Sequence, residues 1–258
     1  MDNTFWESAP HPALRPFVDR LWTRTVAEGA VPPLRILPDG CMDLLVDTTD
    51  PDNSIVVGTM TRATVFEPRR AVRLVSVRFR PGCAAPFLSV AADELTDGTE
   101  GLAAIGIRWL APAQIAAQAD PREGVRALER ALLARLTRIA PPDRTVAYAV
   151  AALSGPAAPS IASVARQIGW TRQHFGRFFR QHVGVGPKQF ARVARLQRAV
   201  DQLQRTQHGC LADAAVSLGY FDQAHMNRDF HELAGVSPRT MAAAGGSIFP
   251  IRSLFGGA

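Results

Sequence analysis

Residues 211–238 read LADAAVSLGYFDQAHMNRDFHELAGVSP, and they repeat with changes the stretch IASVARQIGWTRQHFGRFFRQHVGVGP at residues 161–187. Ala162, Ala165 and Gly169 recur 50 positions later, whereas Gly184, Val185 and Pro187 recur 51 positions later. The second copy therefore contains one inserted residue between its two glycines, inside its second helix or in the turn before it. A repeat that holds two short helices indicates one supersecondary unit used twice.

Each copy has the pattern of a helix-turn-helix. In the first, Ser160 is a candidate N-cap, an apolar stripe follows at i, i+3, i+4 and i+7, and Gly169 stands where the helix should end. Thr171 can cap the next helix, whose core-facing side carries three phenylalanines, Phe175, Phe178 and Phe179. The second copy repeats this pattern. Its first helix carries the apolar stripe Leu211, Ala214, Ala215 and Leu218, and Gly219 marks the end of that helix. Its second helix starts near Asp222, with Met226 and Phe230 on the core side.

The positive charge of the chain is concentrated in the half that contains the repeat. Residues 155–258 hold 12 Lys and Arg against 5 Asp and Glu, whereas residues 1–154 hold 17 against 18. A basic part beside a neutral one is what neutralisation of nucleic-acid phosphates requires. Surface arginines are common on helices of any function, so this asymmetry indicates DNA only in combination with the two helical units.

The region 161–241 resembles the DNA-binding domain of AraC/XylS-type transcriptional regulators. The diagnostic segments are the first copy, the stretch ARVARLQRAVDQL between the copies, and the run GY-x-DQ-x-H-x-x-R-x-F followed by GVSP. The resemblance implies two helix-turn-helix units joined by a long helix, each with a recognition helix in the major groove. Four residues depart from the family pattern: Phe221 replaces a small residue, Met226 and Met241 replace aromatic residues, and Asp229 occupies a position that is often apolar.

The resemblance also assigns candidate base-reading residues. In the first unit they are Arg172, Gln173, His174, Gly176 and Arg177, and in the second Gln223, Ala224, His225, Asn227 and Arg228. Arg can bind guanine and Gln or Asn can bind adenine with two hydrogen bonds, and Ala can pack on a thymine methyl group. The alternative for each polar residue is a hydrated helix face. For Arg177 and Arg228 a further alternative is an ion pair with the preceding helix.

Other basic or polar residues are assigned to phosphate contacts, with solvated charges as the alternative: Thr171, Arg180, His182, Lys188, Arg192 and Arg239. His174 and His225 lie in different repeats without clustered Cys or carboxylates, so we expect no metal site and no cofactor. Pro187 should begin a helix over Lys188–Arg205 with a broad apolar face. If both recognition helices read one face of the duplex, their centres should lie about 34 Å apart.

The N-terminal half predicts a different domain. Residues 20–80 favour strands at Leu44–Val46, Ile55–Val57, Thr64–Phe66 and Val72–Phe79, after which Pro81-Gly82 should end the sheet. Residues 85–153 favour helices, the best being Glu123–Ile139 and Asp143–Leu153. The predicted fold is α+β: a β-barrel or cupin-like domain at 1–153, a linker at 154–159, an all-α double helix-turn-helix domain at 160–244, and a flexible tail at 245–258.

The N-terminal half, with ILPDGCMDLLVD and a later RFRPG segment, is similar to the cupin-like sensor domain of an AraC-like subgroup. This similarity implies a domain that senses a small molecule, mediates homodimerisation, or does both. Candidate anion-holding residues are Arg73, Arg78 and Arg80, with arginines at the rim of the sheet as the alternative. Trp22 and Trp6 are candidates to line an apolar pocket, and an ordinary place in the hydrophobic core is the alternative.

The sequence predicts a cytoplasmic regulator and not an enzyme. The cysteines Cys41, Cys83 and Cys210 form no CxxC pair, so buried inert thiols are expected rather than disulfides or a redox sensor. No signal peptide or membrane-spanning run is present. Expected partners are double-stranded DNA, a small-molecule effector, a second copy, and RNA polymerase if the protein is an activator.

Two alternatives remain: an effector-free DNA-binding protein, and an enzyme domain fused to a DNA-binding domain. His11 is the only histidine before residue 174, which leaves a histidine-based active site little to use. A closed apolar pocket in the N-terminal domain would favour a sensor, and a filled core would favour the effector-free protein.

Overall fold

The computed structural model describes residues 4–27, 33–67, 70–205, 215 and 217–243. A sheet-rich N-terminal part precedes a helical C-terminal part, which confirms the predicted α+β class. The tail 245–258, Cys210, and Leu211, Ala212 and Ala214 of the second repeat lie outside the described residues.

The main sheet has six antiparallel strands in the order β1-β2-β7-β4-β5-β8, so β1 and β8 are its edges. A separate two-stranded sheet pairs β3 with β6. The strands are β1 Thr4–Ser8, β2 Val18–Val26, β3 Leu34–Ile36, β4 Met42–Asp47, β5 Ile55–Val57, β6 Thr64–Phe66, β7 Val72–Phe79 and β8 Thr99–Gly101.

All four predicted strands are confirmed, but the predicted limits of the sheet are wrong at both ends. β1 precedes residue 20, and β8 returns to the sheet after Pro81-Gly82. The short strand β8 adds to β5 through the pair Val57↔Thr99, although its own residues are mostly exposed. Its place in the sheet depends on this pairing rather than on apolar alternation.

The helices are α1 Ala85–Leu88, α2 Pro112–Ala116, α3 Pro121–Leu136, α4 Arg144–Ser154, α5 Ile161–Ile168, α6 Arg172–Val183, α7 Pro187–Arg205, α8 Gln223–Asp229 and α9 Pro238–Ala243. Asp120 and Asp143 cap α3 and α4, so both helices begin close to the predicted positions, and α3 ends at Leu136 rather than Ile139. On α3, Val125, Leu128 and Leu132 pack into the core of the sheet.

The helix α4 belongs to the C-terminal core rather than to the N-terminal domain. Its buried Val146, Ala149 and Leu153 lie in one cluster with Phe175 and Phe179 of α6. The packing therefore corrects the border predicted at residue 153, because the helical body begins at α4. Residues 155–159 connect α4 to α5 within that body.

The long helix α7 joins the two units as predicted. Its apolar face, from Phe190 through Leu203, is buried along its whole length. Phe190 lies in the core of the first unit, whereas Leu196, Val200 and Leu203 lie in the core of the second. One helix thus contributes to both cores and fixes the distance between them.

Candidate nucleic-acid interface

The first unit consists of α5, a tight turn and α6. The Ser160 hydroxyl accepts from the Ser163 amide (3.1 Å) at the start of α5, and Gly169 ends the helix in the left-handed region at φ +80°. The Thr171 hydroxyl then accepts from the His174 amide (3.2 Å) and begins α6. The predicted caps and turn of the first helix-turn-helix are therefore present.

The predicted reading residues of α6 share one exposed face. Phe175 and Phe179 are fully buried on the opposite side of the helix. Gly176 is half-buried, and a Cβ placed on it would meet nothing within 4 Å, so this side of α6 is open. The exposed residues are Arg172, Gln173, His174 and Arg177. The His174 ring lies edge-on to Trp170 with 4.5 Å between centroids, which restricts its orientation.

The second unit starts its recognition helix in the same way, one residue later. Gly219 is in the left-handed region at φ +82°, and the Asp222 carboxylate accepts from the His225 amide (2.6 Å). Because the caps Thr171 and Asp222 are 51 positions apart and the glycines Gly169 and Gly219 are 50 apart, the inserted residue lies in the turn. The insertion therefore lengthens the entry to α8. The helix also differs at its other end, because Phe230–Ala234 continue it as a π-helical segment, whereas α6 is α-helical to Val183.

The predicted reading residues of α8 divide into two groups. Gln223, Ala224 and Arg228 are exposed and Asn227 is half-exposed. His225 instead lies toward α7: its Nε2 is 3.4 Å from Arg195 Nη2, and its Nδ1 accepts from the Phe221 amide at 3.3 Å. A ring whose Nδ1 accepts carries its hydrogen on Nε2, so the approach of Nε2 to the Arg195 guanidinium is a packing contact and not a second hydrogen bond. His225 is half-buried in this position, and we infer a packing role for it.

Asp229 holds α8 against the linker helix. Its carboxylate is buried and accepts from Arg192 (Nη2, 2.8 Å) and from Arg195 (Nη2, 2.9 Å) of α7. Arg192 also pairs with Glu232, and Arg195 lies over the Tyr220 ring at 4.7 Å. This cluster gives the acid at residue 229 a structural role, although it departs from the pattern of the family that the sequence resembles.

Arg192 was expected to contact a DNA phosphate. This expectation is wrong in the described structure, because its guanidinium pairs with two carboxylates, those of Asp229 and Glu232. Burial opposes its charge, but hydrogen bonds to Glu232 and Asp229 outweigh that effect and raise the pKa of Arg192. By contrast, neither Arg177 nor Arg228 forms an ion pair with any residue that the structure describes.

The other candidate phosphate contacts lie at several places on the helical body. Thr171 is exposed at the start of α6, beside the reading face. Lys188 and Arg239 are exposed at equivalent positions, each following the proline that begins α7 or α9. Arg180 is exposed near the end of α6, and His182 stacks on Phe178 with its Nδ1 2.9 Å from the Phe178 carbonyl.

Of the four candidate pocket residues, Trp22 and Arg78 come together at Asp43, whereas Arg73 and Arg80 lie apart from them. Arg78 is 4% exposed and lies between two acids: its Nε and Nη2 donate to Asp43 (3.1 and 2.7 Å), and its Nη1 is 2.7 Å from Asp39. The Nη1 contact lacks hydrogen-bond geometry and is therefore ionic. The Trp22 indole approaches the same Asp43 at 3.4 Å. Arg78 is thus neither a rim arginine nor a free anion-binding group.

The remaining two arginines lie at opposite ends of β7. Arg73 is half-buried, and Arg80 is exposed with its Nε donating to the Arg15 carbonyl (2.9 Å). Between them the interior of the sheet is filled by buried side chains such as Leu44, Val77 and Phe79. Two clefts lie elsewhere, one between the two units and one between the domains.

The N-terminal domain contacts the same turn in both units, a feature that the sequence did not indicate. In the first unit, the Thr59 hydroxyl donates to the Val183 carbonyl (2.7 Å) and the Thr96 hydroxyl to the Gly184 carbonyl (2.5 Å). In the second, the Ala63 amide donates to the Leu233 carbonyl (2.7 Å) and Arg35 to the Ala234 carbonyl (3.1 Å). These contacts fix the two units relative to one another from outside α7.

Cys41 and Cys83 are buried thiols. Burial raises the pKa of both, to about 11 for Cys83, which disfavours the reactive thiolate. Within the described ranges, no group of three or more His, Cys, Asp or Glu residues is arranged to hold a metal ion. Nor does any helix in these ranges combine the length and apolar character needed to cross a membrane.

Two family models match the chain. One, described as a helix-turn-helix domain, matches residues 164–244, and the other, described as a domain of unknown function (DUF6597), matches residues 7–100. An uncharacterized HTH-type transcriptional regulator of Haemophilus influenzae is 37% identical over 68 residues, which are 26% of this chain and 22% of that protein. The chain therefore matches about a fifth of the length of this relative.

Among solved structures, ToxT of Vibrio cholerae is 8% identical with a TM-score of 0.47, over 93% of this chain and 98% of ToxT. The C-terminal domain of AraT, a response regulator of Geobacillus stearothermophilus, is 22% identical with a TM-score of 0.35, over 39% of this chain and 82% of that domain. Both likenesses are too remote to indicate a shared ligand or mechanism.

Proposed function

We propose that this chain, whose residues 164–244 form a helix-turn-helix domain of the AraC type, regulates transcription by binding specific DNA sequences. The observation that carries this proposal is the pair of capped helices α6 and α8, each with an exposed polar face and a buried apolar one. Two such helices held by one buried linker helix can read two successive segments of the major groove.

Base reading is assigned to the exposed residues of the two faces. In the first unit, Arg172, Gln173, His174 and Arg177 are available, and in the second Gln223, Ala224 and Arg228, with Asn227 half-exposed beside them. Since neither Arg177 nor Arg228 is paired within the described residues, each guanidinium can form two hydrogen bonds to a guanine. Thr171, Lys188, Arg180, His182 and Arg239 remain predicted phosphate contacts.

The two faces carry different residues, so a single chain would recognise a site without internal symmetry. Homodimerisation, contact with RNA polymerase, a cytoplasmic location and the absence of enzymatic activity remain predictions. A small-molecule effector also remains a prediction. The packed core of the sheet favours the effector-free alternative for that region. A cleft of about 700 Å³ between the domains has room for an effector.

The base-reading assignment is tested by Arg177→Ala and Arg228→Ala on a duplex selected from random sequences by the full chain. Each variant should lose about 1–3 kcal/mol on that duplex and tolerate other bases at one position, because one bidentate contact to a base is removed. Arg130→Ala on the exposed face of α3 is the control and should bind normally. Unchanged specific binding by both variants would refute the assignment.

Salt dependence tests the proposal as a whole. The affinity for the selected duplex should fall steeply as salt rises, because each neutralised phosphate releases counterions. The dissociation constant, measured by fluorescence anisotropy, should rise at least about 100-fold between about 50 and 200 mM salt. An affinity that does not respond to salt would rule out DNA as the partner.

A further inference from the structure

The side chain of Phe221 is exposed to an unusual degree. It is 87% exposed, whereas the other exposed large apolar residues of the described ranges, Phe5, Val65 and Tyr148, are 36%, 47% and 45% exposed. A phenyl ring held in water forgoes the free energy that burial would supply, about 1.5–3 kcal/mol. Its ring therefore contributes little to folding and is available to a partner.

Phe221 is also the residue that distinguishes the turns of the two units. In the first, Trp170 is followed at once by the cap Thr171, whereas in the second Phe221 lies between Tyr220 and the cap Asp222. Tyr220 is 3% exposed and occupies the core position of this turn. The inserted aromatic residue is thus not used by the core of the second unit.

The backbone holds Phe221 at the entry to the recognition helix. Its amide donates to His225 Nδ1 (3.3 Å), and His225 is itself held against Arg195 of α7. The exposed residues Gln223 and Ala224 follow directly on the first turn of α8. In helix-turn-helix proteins this N-terminal end is the part that contacts base edges.

The chemistry of the ring restricts what it can recognise there. A phenyl ring offers no hydrogen bond, and the apolar group on the major-groove edge of DNA is the C5-methyl of thymine. Resting on the function proposed above, we propose that Phe221 reads a thymine methyl group in the part of the site bound by the second unit. The first unit has no inserted residue in its turn, so the contact is made in one half of the site alone.

The structure separates this role from a role in folding. With 87% of the side chain in solvent, Phe221→Ser removes almost no buried area, and the midpoint of chemical unfolding should be unchanged. Asp222 keeps its cap on His225 in this variant, so α8 begins at the same residue. Val65→Ser, at an exposed apolar position of β6, is the matched control for loss of surface apolar area.

Selection of random duplexes by the wild-type chain and by Phe221→Ser tests the proposal without knowledge of the natural site. The wild type should enrich thymine at one position in the second half of the motif. Phe221→Ser should lose the preference at that position and keep all others, and Val65→Ser should select the wild-type motif. A wild type that selects no motif refutes the proposed function itself, which distinguishes that failure from failure of this inference.

Replacement of the selected thymine by uracil removes the methyl group and nothing else. Wild-type affinity should fall about fourfold, as expected for one buried methyl group, and the affinity of Phe221→Ser should not change. Uracil in the first half of the site should affect both proteins equally. The inference is overturned if Phe221→Ser keeps the same thymine or the same response to uracil. It is equally overturned if the variant weakens binding to all sequences alike, because the ring would then contact the backbone or deform the duplex.

Discussion

Arg78→Met tests whether the buried ion cluster of the N-terminal domain stabilises the fold. Arg78, Asp39 and Asp43 have side chains that are 4%, 7% and 12% exposed, so solvent cannot replace a lost partner. Methionine fills a similar volume but leaves both carboxylates without their cation. Removal of one partner from a buried pair costs about 3–5 kcal/mol, and we expect a loss in this range at pH 7.

The loss should depend on pH in a defined direction. Burial raises the pKa of Asp39 in the folded wild type, although Arg78 opposes the shift. Without Arg78 the pKa of Asp39 in the folded variant should rise further. Ionisation of Asp39 then destabilises the folded variant as pH rises above the pKa that Asp39 has in the unfolded chain. As pH falls from 7 toward the raised folded pKa, Asp39 takes up a proton and the difference from wild type should shrink.

Urea unfolding followed by tryptophan fluorescence measures both effects, since Trp22 contacts Asp43 directly. The control is Arg126→Ala, whose pair with Glu123 has side chains that are 63% and 44% exposed and should contribute at most about 0.5 kcal/mol. A loss below about 1 kcal/mol for Arg78→Met, or a difference that grows on acidification, would refute the reasoning, because the carboxylates would then not depend on Arg78.

Two further predictions concern the helical body. Asp229→Asn removes the charge that Arg192 and Arg195 share, so discrimination against base changes in the second half of the selected site should fall about tenfold. Discrimination in the first half should be kept. Competition with duplexes changed in one half measures both, and equal effects on the two halves would contradict the prediction. Gly184→Ala and Gly169→Ala both place a Cβ on a residue with positive φ, and each should lower the free energy of unfolding by about 1 kcal/mol. A Cβ at Gly184 would also lie 2.8 Å from Thr59, so we expect the larger loss there. Equal losses would show that the contact between the domains yields easily.

The elements that the sequence predicted correctly depend on local patterns. Strands Ile55–Val57, Thr64–Phe66 and Val72–Phe79 have the predicted limits, because turn residues and apolar runs mark them. The helix-turn-helix assignment made from the GY-x-DQ-x-H-x-x-R-x-F run is confirmed by the match of residues 164–244 to a helix-turn-helix domain. Caps and glycines act within a few residues of the helix end they stabilise, so their positions can be predicted without the tertiary structure.

The features that the sequence did not predict depend on partners far along the chain. Strand β8 exists because β5 pairs with it more than 40 residues away. Arg192 was assigned to phosphate, but Asp229, which is 37 positions later, accepts its hydrogen bond. Arg78 was assigned to an anionic ligand or to the rim, but Asp39 and Asp43 surround it. In each case the chemistry of the side chain was recognised and its protein partner was not.

The contrast between the two units follows from these distant partners. Both units share caps, a left-handed glycine and a buried apolar side. The first recognition helix contacts α7 through apolar rings, Phe179 on Phe190, whereas the second is held to α7 by the hydrogen bonds of Asp229. The N-terminal domain adds a second constraint, because Thr59 and Arg35 hold the turns at Gly184 and Gly235 from one side. With α7 continuous between the two cores, neither unit can rotate without breaking one of these contacts.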